Sequence, residues 1–396
     1  MLGRFLDESF APEVRTDVTT LTLTRLAANS CYRFSAPFLA VIARGLDVSL
    51  EDVGVALAIA ELSGLLSPLT GRLVDRVGHR WAMIAGLLGM ACGTILAACS
   101  VGVPMFAVAL VILSQSKIVF DIGLGSWIAA HVPYERRGVV VGMTETSWAF
   151  GLLIGVSLMG LVTAITNWRG GYLVAAGGVL TMAVVVASRV GRERSAVPAR
   201  SSGTATPPGR LDRAGWLAVA GAFCLMSSSQ CVFVTFGGWL EDSFDFSPAA
   251  LSAVTFALGL GELTSSITSA RRTDRWGKER SIAFGAALMV PSATGLAVWH
   301  GSLSAGLVLL VLLVAGFEFA IVSSLALASA LVPGSPARGL GTMIAAGTLG
   351  RAVASVPATR WYESGGLAGP AALSAVLAAG TVLAMLGRSR ARTLVP

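Results

Sequence analysis

Charged side chains stand inside long apolar stretches of this chain, and their spacing suggests what they could do. Arg25, Asn29 and Arg33 follow at four-residue intervals, with Tyr32 beside them. On a helix they share one polar face, fit to hold an anionic group such as a carboxylate or phosphate, or to pair internally. Arg25 is expected to snorkel to the cytoplasmic surface. Lys117 and Asp121 are also i and i+4, so they can neutralise each other. Alternatively, Asp121 takes a proton or cation and releases Lys117. Glu318 lies between Phe317 and Phe319 with no base within a helical turn, a setting that suits reversible protonation; a tertiary pair with Arg351 is the competing arrangement. Glu145, one turn before Trp148, is a further proton-coupling candidate. Gln230 ends the run Ser227-Ser228-Ser229 and precedes Phe233, Phe236 and Trp239, so Gln230 and Trp239 join the candidates for binding a small molecule. Glu61 and Glu262 occupy equivalent places in two halves of the chain, which favours a structural role.

These groups need elements that carry them through an apolar medium. Hydrophobic residues make up 54% of the 396 and charged residues 13%, and mean hydropathy is +0.75. A soluble domain carries about a quarter charged residues, so this chain is read as an all-α polytopic membrane protein. A helix of ~20 apolar residues crosses a bilayer, and the length divides into about twelve crossings. They are read at 19–43, 50–70, 80–100, 103–131, 138–165, 169–189, 213–240, 247–269, 281–299, 303–332, 339–362 and 367–387. The expected organisation is a cytoplasmic N-terminal segment (1–18), a six-helix bundle (19–189), a cytoplasmic linker rich in Pro, Ser and Gly (190–212), a second six-helix bundle (213–387) and a cytoplasmic tail (388–396).

The net charge of +7 does not point to nucleic acid, because it is distributed by side. Basic residues gather in alternate loops, whereas Asp47, Glu51, Asp52, Glu241, Asp242, Asp245 and Glu363 mark the others. Positive charge stays inside, so both termini are expected in the cytoplasm of a bacterial inner (plasma) membrane; the bacterial source is read from the excess of Arg over Lys. No phosphate-cradling glycine loop, nucleophile elbow or metal-ligand spacing occurs. Neither catalytic residues, a cofactor nor a metal is expected, and the protein is read as a non-enzyme. The five cysteines lie in apolar segments as packing residues.

Two loops repeat one pattern about 200 residues apart: Gly71-Arg72-Leu73-Val74-Asp75-Arg76-Val77-Gly78-His79-Arg80, and Asp274-Arg275-Trp276-Gly277-Lys278. Pro133…Arg137-Gly138 and Asn167-Trp168-Arg169…Tyr172 add to the pattern. On these residues the chain resembles the major facilitator superfamily over essentially its whole length. The resemblance implies two six-helix bundles related by a pseudo-twofold axis along the membrane normal. Crossings one, four, seven and ten would line a central cavity. Asp75 would sit at the N-terminus of the eleventh crossing, where the helix dipole favours an anion, and stabilise an outward-facing state. Gly71, Arg76, Gly78, Arg80, Asp274, Arg275 and Gly277 would complete this conformational switch. Two departures are visible: the fifth crossing has Gly151 and Gly155 but no Gly-Pro pair, and the arginine that exporters of the family often place in the fourth crossing is missing, with Lys117 only nearby.

The expectation is a monomeric secondary transporter in the lipid bilayer, exporting a small organic substrate by alternating access against a proton gradient. Uptake of an anionic metabolite by proton symport, and a transporter fold used as sensor or lipid flippase, are the alternatives.

Overall fold

A computed structural model of the chain describes residues 10–66, 74, 76–132, 137–190, 211–328, 331–332 and 336–393. Among them the regular structure is helical: α1 (Pro12–Arg33), α2 (Leu39–Leu46), α3 (Leu50–Ser63), α4 (His79–Ala98), α5 (Val103–His131), α6 (Arg137–Phe150), α7 (Ser157–Ile165), α8 (Trp168–Arg189), α9 (Arg213–Phe233), α10 (Phe236–Phe244), α11 (Pro248–Trp276), α12 (Lys278–Trp299), α13 (Leu303–Ala328), α14 (Pro336–Gly365) and α15 (Ala368–Thr393). A 3₁₀ turn, Gly64–Leu66, extends α3, and a π-helical segment, Gly151–Val156, joins α6 to α7. Nine spans among the described residues are long and apolar enough to cross a membrane. Three expected crossings fall on other helices for a visible reason. The first is shared by α1, which carries Arg25, Asn29 and Arg33, and α2; the second falls on α3, only 14 residues long; the eleventh falls on α14, which carries Arg351 and Arg360.

Helix ends follow local chemistry. Asn167 caps α8 by accepting the Arg169 N–H at 2.9 Å, and Asp212 caps α9 by accepting the Gly215 N–H at 2.6 Å. Arg169 donates to the Ala98 and Ser100 carbonyls at 2.9 and 2.7 Å, satisfying the C-terminal end of α4. The first and seventh crossings each break into two helices, α1/α2 and α9/α10. Each second piece ends at an aspartate in the left-handed region, Asp47 at φ 56° and Asp245 at φ 55°. Gly78 and Gly277 likewise share φ 87°, with ψ 150° and 143°, where they start α4 and α12. That region is essentially closed to residues with a Cβ, so glycine is required in both Asp-Arg loops.

The chain packs into two compact units. The first comprises Met1–Val48, Ser63–Val197 and Ser247–Gly259; the second comprises Ser49–Leu62, Pro198–Phe246 and Leu260–Pro396. Within the first, α4 and α5 lie so close that a Cβ on Gly86 would meet the Phe120 backbone nitrogen at 2.7 Å. α1 approaches the π-helical segment equally closely, where a Cβ on Gly155 would meet the Ser30 hydroxyl at 1.7 Å. The opening residues of α11 join this unit through Thr255, 3.1 Å from the Ser157 hydroxyl. Within the second, α12 and α13 repeat the α4/α5 contact: a Cβ on Gly285 would meet the Gly316 carbonyl at 2.5 Å. α3 joins this unit at α14, with the Glu51 N–H donating to Glu363 at 3.0 Å.

Candidate functional site

The first unit gathers four ionisable side chains from three helices. Arg25 on α1 places Nη1 2.8 Å from the Glu145 carboxylate on α6, and Nε 3.5 Å from Asp121 on α5. Asp121 is also ion-paired with Lys117, one turn earlier on its own helix. The two bases lie deeper than the two acids: the side chains of Arg25 and Lys117 are 14% and 6% exposed, those of Asp121 and Glu145 36% and 42%. The quartet is formally neutral, which lowers the cost of holding charge in an apolar setting.

The remaining polar face of α1 continues along α6. Asn29 donates from Nδ2 to the Ser147 hydroxyl at 3.1 Å. Arg33 donates to the Trp148 carbonyl at 2.8 Å, and its guanidinium stacks over the Trp148 ring, 4.5 Å from the centroid. Arg25, Asn29 and Arg33 thus climb α6 through Glu145, Ser147 and Trp148. Asn29 and Arg33 are buried, and Tyr32 is half-buried beside them. Arg25 differs from the expectation that it snorkels to the surface: two carboxylates within reach give its charge a partner inside the unit.

In the second unit Glu318 is 3% exposed and accepts the Ser266 hydroxyl of α11. Arg351, expected as its competing partner, instead forms an ion pair with Glu61 on α3. Glu262, one turn before Ser266, is fully buried. Gln230 on α9 donates to the Ser355 hydroxyl on α14 at 2.9 Å, and Trp239 on α10 donates from its indole to the His300 carbonyl at 3.0 Å. Both side chains are buried.

Of the loop residues, Gly71 and Asp75 lie outside the described residues, as do Pro133 and positions 191–210 of the linker. Asp274 falls within α11, its side chain outside the described ones. Arg76 and Arg275 are exposed. Arg80 donates to the Ala187 carbonyl on α8 and stands 5.5 Å over Trp81. The partners that sequence reasoning missed are Ser147, Ser266 and Ser355. Their partners lie on other helices, so the sequence gives no signal of the pairing until a second helix is placed beside each.

The profile of the Major Facilitator Superfamily matches residues 21–359, and the chain belongs to that family. It is a multi-pass membrane protein of a transporter family, not of an enzyme family. Among curated relatives, the uncharacterized MFS-type transporter YwfA of Bacillus subtilis is 23% identical over 272 residues, 66% of this chain and 65% of that protein. The staphyloferrin B transporter of Staphylococcus aureus is 27% identical over 29% of this chain and 28% of its own length. The multi-drug resistance efflux pump PmrA homolog of Lactococcus lactis is 29% identical over 36% of this chain and 35% of its own length. The matches thus span less than two thirds of these relatives. Two solved structures share the fold. The human organic anion transporter MFSD10 (TETRAN) superposes with a TM-score of 0.68 at 19% identity, covering 96% of this chain and 100% of that one. A bacterial homolog of the human lysosomal transporter Spinster superposes with a TM-score of 0.71 at 12% identity, covering 96% and 94%.

Proposed function

We propose that this protein is a secondary active transporter of the cytoplasmic membrane, exporting a small organic molecule by alternating access in exchange for protons. The observation that carries the reading is the quartet of Arg25, Lys117, Asp121 and Glu145. Ionisable groups at bilayer depth are costly and mark ion or substrate routes. Here the carboxylates are the more open members, and a proton on Asp121 would free Lys117 for a new partner. Glu318 is the coupling acid in this reading. Its Ser266 partner serves both protonation states, since a hydroxyl donates to a carboxylate and accepts from a carboxylic acid. Arg33, Asn29, Tyr32, Lys117, Gln230 and Trp239 are the proposed substrate contacts, and Asp121 and Glu145 the further proton-coupling groups. Gly71, Asp75, Arg76, Gly78, Arg80, Asp274, Arg275 and Gly277 are the proposed switch between states of the two bundles, 19–189 and 213–387. Export is favoured by the efflux-pump relative from Lactococcus lactis.

The test is flux in proteoliposomes, with a substrate found by thermal-shift screening. An imposed pH gradient should drive substrate against protons, and Glu318→Gln should abolish the gradient-driven part. Flux in the same direction as protons would replace export by uptake, and flux indifferent to the gradient would end the coupling claim.

A further inference from the structure

The helix α3 packs in the second unit, although the chain runs on from Ser63 into the first. Its contacts with α14 climb one helix as they descend the other. The Glu51 N–H donates to Glu363 at 3.0 Å, a Cβ on Gly54 would collide with the Thr359 hydroxyl, and Glu61 is ion-paired with Arg351. Glu51, Gly54, Ala58 and Glu61 recur at helical spacing, so one face of α3 makes the seam. Glu61 is buried and Arg351 half-buried.

A second exchange of the same form occurs in the first unit. The opening residues of α11 pack there, although that helix continues in the second unit. Thr255 lies 3.1 Å from the Ser157 hydroxyl, and a Cβ on Gly259 would meet the Leu153 backbone nitrogen at 2.5 Å. α11 repeats α3 in sequence, since Glu262-Leu263-Thr264 echoes Glu61-Leu62-Ser63. Both seams are built of glycines and short hydroxyl side chains, and the α3/α14 seam adds an ion pair.

Within one bundle of helices an ion pair only offsets the cost of its own burial. The place of this one gives it more to do. It joins α3, which belongs by sequence to the bundle 19–189, to α14 of the bundle 213–387. Bundles that move against each other in alternating access must part or slide an exchanged seam. Membrane helices gain no hydrophobic drive from meeting, so a smooth glycine seam parts readily. An ion pair at membrane depth does not, because each charge would lose its partner in an apolar surround.

We propose that Glu61 and Arg351 form a latch that holds α3 on α14 in this conformation and opens when the transporter changes state, so that its strength sets the balance between states. The proposal rests on the alternating access of the reading above. The pair acts through the helices it joins rather than on the cargo.

The test is a spin-label distance across the seam, between Val55→Cys and Val353→Cys, two exposed positions, in the full chain with its five native cysteines replaced and held in nanodiscs. With the pair intact, one short distance should dominate. Glu61→Gln should raise the ratio of long to short distances by about tenfold, a shift that one partly buried ion pair can carry. Arg351→Lys, which keeps the charge but not the planar fork, should give a smaller shift in the same direction. The double swap of Glu61→Arg with Arg351→Glu restores an ion pair and should return the distribution toward wild type, which a role in packing alone does not predict. Unchanged distances in both Glu61→Gln and Arg351→Leu would overturn the latch, and gradient-driven flux in the same variants would leave the transport reading standing. A distribution that shifts as expected in a protein without flux would remove the exporter and keep the latch.

Discussion

Arg25 on α1 lies 2.8 Å from the Glu145 carboxylate on α6, and two turns further along α1 Arg33 donates to the Trp148 carbonyl. One helix face therefore docks on another through two cations and an amide rather than through apolar area. In water such contacts contribute little, but in an apolar surround a polar group without its partner is expensive.

Arg25→Ala removes the cation that Glu145 and Asp121 share, and leaves Asp121 with Lys117 alone. Because both carboxylates are more than a third exposed, the expected loss is about 1–3 kcal/mol, below the usual cost of breaking a fully buried pair. Thermal unfolding in detergent should show the drop. Glu145→Gln, which keeps a hydrogen-bonding group, should cost less. An Arg25→Ala protein as stable as wild type would mean the quartet carries no weight in packing.

Glu61 and Arg351 set a stricter case. The Glu61 side chain is 2% exposed and that of Arg351 19%. Removing one partner alone, by Glu61→Leu or Arg351→Leu, should cost about 3–5 kcal/mol, and removing both should cost much less than the sum. A double-mutant cycle of melting temperatures measures the coupling. Additive losses would show that the pair is incidental to the packing of α3 on α14.

Much of this was legible in the chain itself, and what was not shares a physical cause. The spacing of Arg25, Asn29 and Arg33 disclosed a polar helix face, since helical periodicity is written in sequence. Its docking on Glu145, Ser147 and Trp148 is a tertiary fact that no local pattern records. The Lys117–Asp121 pair lies within one helix and was readable. The Glu61–Arg351 pair joins residues 290 apart and was not; Arg351 stood only as a competing partner for Glu318. The break in the first crossing was missed although Pro37 stands in it, and the one in the seventh falls at Val234-Thr235, where the stretch carries no such breaker. The left-handed Asp47 and Asp245 that end the second pieces are unusual for residues with a Cβ. The two Asp-Arg-x-Gly loops announced the duplication, and the matching backbone of Gly78 and Gly277 gives that repeat a conformational reason.

Gly78→Ala and Gly277→Ala should each destabilise by about 1–3 kcal/mol, because φ 87° with extended ψ strains any residue with a Cβ. The space around Gly277 is open, with nothing within 4 Å of a Cβ, so strain rather than collision is the cause there. Gly277→Asn should cost nearly as much, as asparagine tolerates the left-handed helical region and not this one. Circular dichroism melts of the three variants check the ordering. A neutral Gly277→Ala would show that the loop relaxes to another conformation.

Arg33 offers two separable contacts, a hydrogen bond to the Trp148 carbonyl and a guanidinium stacked on the Trp148 ring. Lysine can keep the first but loses the planar stacking, worth about 1 kcal/mol. Alanine loses both the hydrogen bond and the stacking. Melting temperatures should therefore fall in the order wild type, Arg33→Lys, Arg33→Ala, while substrate affinity by calorimetry separates packing from recognition. If Arg33 also receives substrate, Arg33→Lys weakens binding more than its small loss of stability explains, and an anionic ligand suffers more than a neutral one. If affinity is unchanged in Arg33→Lys and stability alone declines, Arg33 is a clamp between α1 and α6, and recognition rests with the other proposed contacts, Asn29, Tyr32, Lys117, Gln230 and Trp239.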